Sequence, residues 1–102
     1  MHYSPEALTA FVEAAASGSF SAAARRMRKS QSTISTAISN LETDLGLTLF
    51  DRSTRQPTLT AQGEQVLGYV KAILAASSRL DELASSLSGN TEPRLTFVLS
   101  DT

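Results

Sequence analysis

Apolar side chains recur at intervals of three and four residues over the first half of the chain, a spacing that predicts amphipathic helices with one buried face. The first predicted helix begins after Ser4, a favourable N-cap that Pro5 follows. It ends at Gly18, a residue suited to a left-handed C-cap. Its apolar stripe consists of Leu8, Phe11, Val12 and Ala15.

Two more helical segments follow, separated by only a short turn. Ser19 starts the first of them, FSAAARRM, whose alanines allow a neighbouring helix to approach closely. After a turn at about residues 28–30, Ser30 is expected to cap a helix that runs to about Leu45 and is closed by Gly46. Two helices joined by a short turn predict a helix-turn-helix.

The helical period breaks in LTLFDRSTRQPTLT, where leucines alternate with polar residues. This pattern predicts a two-stranded hairpin, Leu49–Arg52 against Pro57–Thr60, with an exposed basic tip. Pro57 is acceptable there because an edge strand does not need every backbone N–H. The helices and the hairpin together predict a mainly α fold, a winged helix-turn-helix.

Thr60 is expected to cap a long fourth helix that extends to about Leu87. Its apolar residues recur at near-heptad spacing, as in helices that pack on another helix. The core of a chain of 102 residues is too small to cover this whole stripe, so we expect a homodimer through the fourth helix. The residues expected at the dimer interface are Val66, Tyr69, Val70, Ile73, Leu80, Leu83 and Leu87.

Charge is distributed very unevenly along the chain. The net charge of −1 at pH 7, taken alone, argues against nucleic-acid binding. However, four cations fall within residues 25–29, no acid occurs from Phe20 to Asn40, and Arg52 and Arg55 form a second basic group. Because local potential rather than total charge governs binding to a polyanion, these segments favour a nucleic-acid partner.

The segment RKSQSTISTAISN, residues 28–40, combines a buried stripe with a face of hydroxyls and amides. An α-helix fits the DNA major groove, and its outer side chains must form hydrogen bonds without repelling phosphates. A solvated helix face is the alternative, but Ser and Thr form helices less well than Lys, Glu or Gln. Gln31 suits bidentate hydrogen bonding to adenine. The DNA-binding residues expected on this face are Gln31, Ser32, Thr33, Ser35, Thr36 and Ser39.

The basic cluster of residues 25–29 is expected to contact phosphates, which gives affinity without sequence information. Arg28 and Lys29 are assigned this role, together with the free amides near Ser30 at the start of the third helix. One or two cations of the cluster could instead pair with Glu42 or Asp44.

The two arginines of the wing receive different assignments. Arg55, at the tip, is expected to enter a minor groove and to sense its width, and therefore its A·T content. For Arg52 the sequence leaves two roles open, a contact with DNA or a structural pairing with Asp44 or Asp51.

Residues for catalysis or metal binding are scarce. The sole histidine is His2, near the N-terminus, so a serine nucleophile has no histidine base beside it, and the sequence contains no cysteine. No phosphate-binding glycine loop, no apolar run long enough to span a membrane and no signal peptide are recognisable. We therefore expect no enzyme, no metal site and no cofactor in this chain.

Five motifs follow one another along the chain: GSFSAAARRM, SQSTIS, AISNLETDLG, LFDRSTR and LTAQGE. In this order and at this spacing, over about residues 4–90, the sequence resembles the DNA-binding domain of LysR-type transcriptional regulators. The resemblance implies a winged helix-turn-helix and a linker helix that pairs antiparallel in a dimer bound to an interrupted palindrome. It also implies a cytoplasmic protein at the bacterial nucleoid, often a tetramer at full length, with a small-molecule effector bound by a C-terminal domain.

The resemblance divides the chain into three segments. Residues 1–59 are the expected DNA-binding domain, 60–88 the linker and dimerisation helix, and 89–102 a linker with the first strand of a truncated effector-binding domain. One departure concerns Thr36, which stands where many family members have an arginine that reaches DNA. Two alternatives remain open: a helical adaptor that binds a protein through its fourth helix, and a winged helix that has lost base recognition.

Overall fold

The computed structural model describes residues 3–53 and 55–88. Within these residues, helices α1–α3 form a bundle, a two-stranded antiparallel sheet follows, and a long helix α4 ends the fold. The predicted mainly helical winged helix-turn-helix is thereby confirmed, whereas the predicted strand after residue 89 lies outside the described residues. The elements are α1 Pro5–Ser17, α2 Phe20–Met27, α3 Gln31–Leu45, β1 Phe50–Asp51, β2 Thr58–Leu59 and α4 Ala61–Leu87.

All four helices begin at the capping residue that the sequence predicts. In each case the side-chain oxygen accepts a hydrogen bond from the backbone amide three residues further on, at 2.9–3.1 Å. These bonds satisfy amides that have no acceptor inside the helix, so the caps fix the helix starts. The capping residues are Ser4, Ser19, Ser30 and Thr60.

The turn between α2 and α3 depends on a left-handed residue. Arg28 has φ 58° and ψ 45°. Among the described residues it is the one residue other than glycine that has a positive φ. This conformation allows the Lys29 amide to donate to the Ala24 carbonyl at 2.9 Å and so closes α2. The chain then reverses within two residues, which brings α3 across α2.

The core lies where α1, α2 and α3 meet the base of the wing. Among the described residues no polar or charged side chain is buried, so the interior is entirely apolar. Burial of such side chains is the main source of stability in a domain this small. The largest fully buried side chains are Phe11, Ile34, Ile38, Leu41 and Leu49.

Aromatic packing attaches the wing to the helices. The ring of Phe50, in β1, lies edge-on to Phe11 of α1 at 5.6 Å and to Phe20 of α2 at 5.3 Å between centroids. T-shaped pairs of this kind add to the stabilisation from burial alone. The position of β1 is therefore fixed by contacts with two different helices.

The hairpin is shorter than the sequence predicts. Only Phe50 and Asp51 pair with Leu59 and Thr58, instead of the four residues predicted on each side. The carboxylate of Asp51 accepts hydrogen bonds from the amide and the hydroxyl of Ser53, at 2.9 and 2.7 Å, and this turns the chain out of the sheet. The same two bonds lower the pKa of the Asp51 carboxyl.

Helix α4 packs on the domain only over its first half. Its 27 residues span about 40 Å, and every residue of the helix from Ala75 to Leu87 is exposed. Val70, predicted at the dimer interface, is only 3% exposed and lies in the core of its own chain, so it is not available to a partner. Val66 and Ile73 are partly buried against the same core. The large apolar side chains of α4 that are exposed are Tyr69, Leu80, Leu83 and Leu87.

The junction between the wing and α4 is tight. Gly63 is buried, and a Cβ atom at this position would collide with the backbone oxygen of Leu49 and touch the side chain of Leu59. The Thr60 amide also donates to that Leu49 oxygen at 3.0 Å. A residue larger than glycine would therefore push α4 away from the wing.

We predict that Gly63→Ala destabilises the protein by about 1–3 kcal/mol, because the collision outweighs the better helix propensity of alanine. Gly68→Ala is the matched control, since a Cβ there meets no atom within 4 Å, and we expect it to stabilise by about 0.5–1 kcal/mol. Urea denaturation followed by circular dichroism measures both. Equal stabilisation by the two substitutions would contradict the tight junction.

Candidate nucleic-acid interface

Helix α3 presents the predicted polar face to solvent. Gln31, Ser32, Thr33 and Thr36 are exposed, whereas Ser35 and Ser39 are half-buried at the edge of the face. The opposite side of the helix carries the buried stripe of isoleucines that belongs to the core. A rigid, buried inner face therefore supports an outer face of hydroxyls and an amide.

Hydroxyl groups at the start of α3 form a small network. The Ser30 hydroxyl lies 3.1 Å from that of Ser32 and 2.8 Å from that of Thr33, and it also accepts the hydrogen bond from the Thr33 amide. The first-turn amides of Gln31 and Ser32 have no acceptor inside a helix. Such amides, at the positive end of the helix dipole, suit an anion such as phosphate.

The wing and the start of α3 line a common cleft. Gln31 and Ser35 form one side, and Arg55 and Pro57 form the other. Arg55 is exposed and lies near the tip, as the sequence predicts. The fold thus brings an amide of the helix face and a cation of the wing to the same opening, although they are distant in the sequence.

Arg52 also lines this cleft, and its exposed side chain contacts two groups of its own chain. One of its terminal nitrogens lies 3.4 Å from Glu42, and its guanidinium carbon lies 5.2 Å from the centre of the Phe20 ring. The predicted partners Asp44 and Asp51 are wrong: Asp51 accepts from Ser53 instead. This position favours the structural one of the two roles left open for Arg52.

Glu42 connects α3 to the wing, and sequence reasoning missed this role. One carboxylate oxygen accepts hydrogen bonds from the amides of Leu49 and Phe50 at 2.8 and 3.2 Å, and the other faces Arg52. The sequence contains a signal for it. Glu42 follows Ile38 by four residues, beside the buried stripe, where an acid needs a partner.

Two cations of the basic cluster pair with acids of α1. The Nε atom of Arg26 lies 2.6 Å from Oε1 of Glu13, and the Nζ atom of Lys29 lies 3.0 Å from Oε2 of Glu6. The predicted partners Glu42 and Asp44 are therefore wrong for these pairs, because α1 packs directly against α2 and presents its own acids to the cluster.

The other two cations of the cluster are placed differently. Arg25 donates to the Ser21 hydroxyl at 3.0 Å, one turn earlier on α2. Arg28 is exposed, and its side chain makes no hydrogen bond or ion pair with the residues that the structure describes. Of the four cationic side chains in the cluster, that of Arg28 is therefore the most available to bind a phosphate.

Other kinds of site have little support in the described part of the chain. Residues 3–53 and 55–88 contain no group of three or more His, Cys, Asp or Glu side chains placed to hold a metal ion. Within the same ranges, no helix has both the length and the apolar character needed to cross a membrane.

Comparison with known proteins identifies the family. The family described as "Bacterial regulatory helix-turn-helix protein, lysR family" matches residues 5–64, which include α1–α3, the wing and the start of α4. The chain belongs to the LysR family. Members of this family are transcriptional regulators and not enzymes, in agreement with the expectation from the sequence. The HTH-type transcriptional regulator AceR of Acinetobacter baumannii is 40% identical over 99 residues, which are 97% of this chain and 33% of AceR.

Solved LysR-family structures share the fold. The DNA-binding domain of CbnR, solved in complex with DNA, has a TM-score of 0.78 and 32% identity, covering 87% of this chain and 100% of the other. The DNA-binding domain of BenM, in a complex with benA site 1 DNA, has a TM-score of 0.78 and 26% identity, covering 84% and 97%. The present chain spans about a third of the length of the curated LysR-family relatives that it matches.

We predict that Glu42→Ala destabilises the protein by about 2–3 kcal/mol. The substitution removes the charged acceptor of the Leu49 and Phe50 backbone amides and of the Arg52 guanidinium. Asp44→Ala is the control, since Asp44 is an exposed acid on the same helix, and its effect should stay within about 0.5 kcal/mol. Chemical denaturation of both variants tests this. Similar effects of the two substitutions would show that Glu42 does not hold the wing.

Proposed function

We propose that this chain is the sequence-specific, double-stranded DNA-binding part of a bacterial LysR-type transcriptional regulator, acting at the nucleoid in the cytoplasm. One observation carries the proposal. The acid-free polar face of α3 is exposed and shares a cleft with the wing arginine Arg55. The DNA complexes of the CbnR and BenM domains, which have the same fold, support the choice of partner.

In this proposal α3 enters the major groove. Gln31 reads an adenine through two hydrogen bonds, and Thr33 and Thr36 offer methyl groups to thymine and hydroxyls to bases or phosphate. Thr36 is short and uncharged, so the readout at its position depends on close approach and not on a long cationic side chain. Ser32, at the start of the helix, contributes to phosphate binding.

The wing and the turn provide the remaining contacts. Arg55 enters the flanking minor groove, where a narrow A·T-rich groove attracts a guanidinium. Arg28 binds a phosphate from the turn before α3 and fixes the register of the helix on the duplex. Arg52 acts indirectly, since its pairing with Glu42 helps to hold the wing that carries Arg55.

The proposed active form is a dimer. The outer half of α4 exposes a row of apolar side chains, with Leu80 63% and Leu87 77% exposed, and a row of this kind is typical of a helix with a missing partner. Antiparallel pairing of two α4 helices would place the two α3 helices on the half-sites of an interrupted palindrome. In a full-length regulator, a separate domain would bind a small-molecule effector and extend the dimer to a tetramer.

The first experiment selects binding sites from random duplexes and then measures affinity by fluorescence anisotropy at several salt concentrations. We predict that Gln31→Ala weakens binding to the selected site by about 1–3 kcal/mol, roughly 5- to 150-fold, and weakens binding to unrelated duplexes much less. Gln65→Ala, which removes the same side chain from an exposed position of α4, is the control and should bind like wild type.

Each result has a distinct meaning. A palindromic site, a steep fall of affinity with salt and a selective loss in Gln31→Ala support the proposal. Salt-dependent binding without any enriched site, and without an effect of Gln31→Ala, would indicate a winged helix that no longer reads bases. Absence of DNA binding would contradict the proposal and favour a protein partner on α4.

We predict that Leu80→Asp converts the dimer to monomers, raising the dissociation constant by about 100-fold or more, because a charge would be buried between the two helices. Ser78→Asp adds the same charge on the opposite face of α4 and should leave the dimer intact. Light scattering across a concentration series measures the mass of both variants. An unchanged mass for Leu80→Asp would rule out the proposed interface.

A further inference from the structure

The ion pair between Lys29 and Glu6 lies at the edge of the candidate interface. Lys29 lies in the turn between α2 and α3, and Glu6 belongs to the first turn of α1. The ammonium nitrogen and a carboxylate oxygen are 3.0 Å apart, and the two side chains are 45% and 48% exposed. Water therefore reaches both ends of the pair, so it can open without exposing any buried group.

Glu6 is also close to the polar face of α3. It lines one open cleft together with Ser32, Thr33, Thr36 and Asn40 of that helix. The α3 face itself contains no acid from Gln31 to Asn40. The fold therefore places a carboxylate of α1 beside a face of α3 that has no acid of its own.

We propose that Glu6 limits the affinity for DNA by holding Lys29 in an ion pair that a DNA phosphate must replace. This inference rests on the proposed function, since it assigns a regulating residue to the same DNA-binding surface. Glu6 is a positioning residue in this arrangement and does not itself contact DNA favourably.

The physical basis is competition between two anions for one ammonium group. Lysine has a compact charge on a flexible stem, so its ammonium group can move from the carboxylate to a nearby phosphate oxygen. Exposed ion pairs of this kind are weak, and their loss corresponds to a change in affinity of about two- to fivefold. The carboxylate left behind is then unpaired near DNA, which reduces affinity further at low salt.

The other ion pair of the cluster differs in its surroundings. Glu13, which pairs with Arg26, is only 26% exposed, and it does not line the cleft beside α3 that Glu6 lines. Its position is two turns further along α1 than that of Glu6. The inference therefore concerns Glu6 and is not a general statement about acids on α1.

A double-mutant cycle tests the proposal. Affinity for the selected duplex is measured at low and at high salt for wild type, Glu6→Gln, Lys29→Gln and the double variant. We expect Glu6→Gln to tighten binding at low salt, and the gain to be about two- to fivefold larger when Lys29 is present than in the Lys29→Gln background. High salt should reduce both gains.

Two controls separate this effect from general changes in charge or stability. Glu64→Gln makes the same change in charge at another first-turn acid, on α4, and reports the general electrostatic effect. Thermal denaturation of each variant shows whether the fold is retained at the temperature of the binding assay.

Opposite outcomes overturn the inference. Equal gains from Glu6→Gln with and without Lys29 would mean that Glu6 acts only through long-range repulsion. A larger gain in the Lys29→Gln background would mean that Lys29 stays on Glu6 and shields it from DNA. Absence of DNA binding by wild type would instead contradict the proposed function, so the two failures are distinguishable.

Discussion

The backbone of Leu49 is the point on which the arrangement of the wing depends. Its amide donates to the carboxylate of Glu42 in α3, and its carbonyl accepts from the amide of Thr60 at the start of α4. The Thr60 hydroxyl donates to the neighbouring Thr48 carbonyl at 2.6 Å. Gly63 packs against the Leu49 carbonyl. One peptide segment is therefore hydrogen-bonded to α3 on one side and to the start of α4 on the other. Because the side chain of Leu49 is also fully buried, this segment cannot shift without disturbing the core.

This constraint explains how so short a hairpin keeps a defined position. Two residue pairs of antiparallel sheet contribute little stability on their own. The edge-on contacts of Phe50 with two helices, and the contact of Arg52 with Glu42 and the Phe20 ring, supply the rest. The spacing between the polar face of α3 and Arg55 is thus set by packing inside the domain and not by the sheet.

Local signals in the sequence were sufficient to predict the elements. Capping depends on a side chain and an amide three residues away, so Ser30 and Thr60 could be identified without knowledge of the tertiary fold. The exposure of the α3 face followed from its spacing relative to the apolar stripe.

The hydrogen-bond and ion-pair partners could not be predicted in the same way. The partner of Lys29 is on α1, more than twenty residues earlier, and only the packing of α1 against α2 brings the two charges together. Val70 was predicted at the dimer interface, yet its side chain is buried in the core of its own chain. The apolar residues of α4 both cover the domain and form the exposed row, and their spacing does not show where the first role ends. The predicted strand lengths were also wrong, because the hydrogen bonds from Ser53 to the Asp51 carboxylate turn the chain and end the pairing early.

The division of α4 into a packed half and a free half has a geometric consequence. The 13 residues from Ala75 to Leu87 extend about 20 Å beyond the last contacts with the domain, as one uninterrupted helix without proline. In the proposed dimer, the distance between the two DNA-binding domains would be set by the number of residues in this rigid part of α4. An operator with a different centre-to-centre spacing would then have to bend or twist to be bound, so the length of one helix would restrict which genomic sites are accessible.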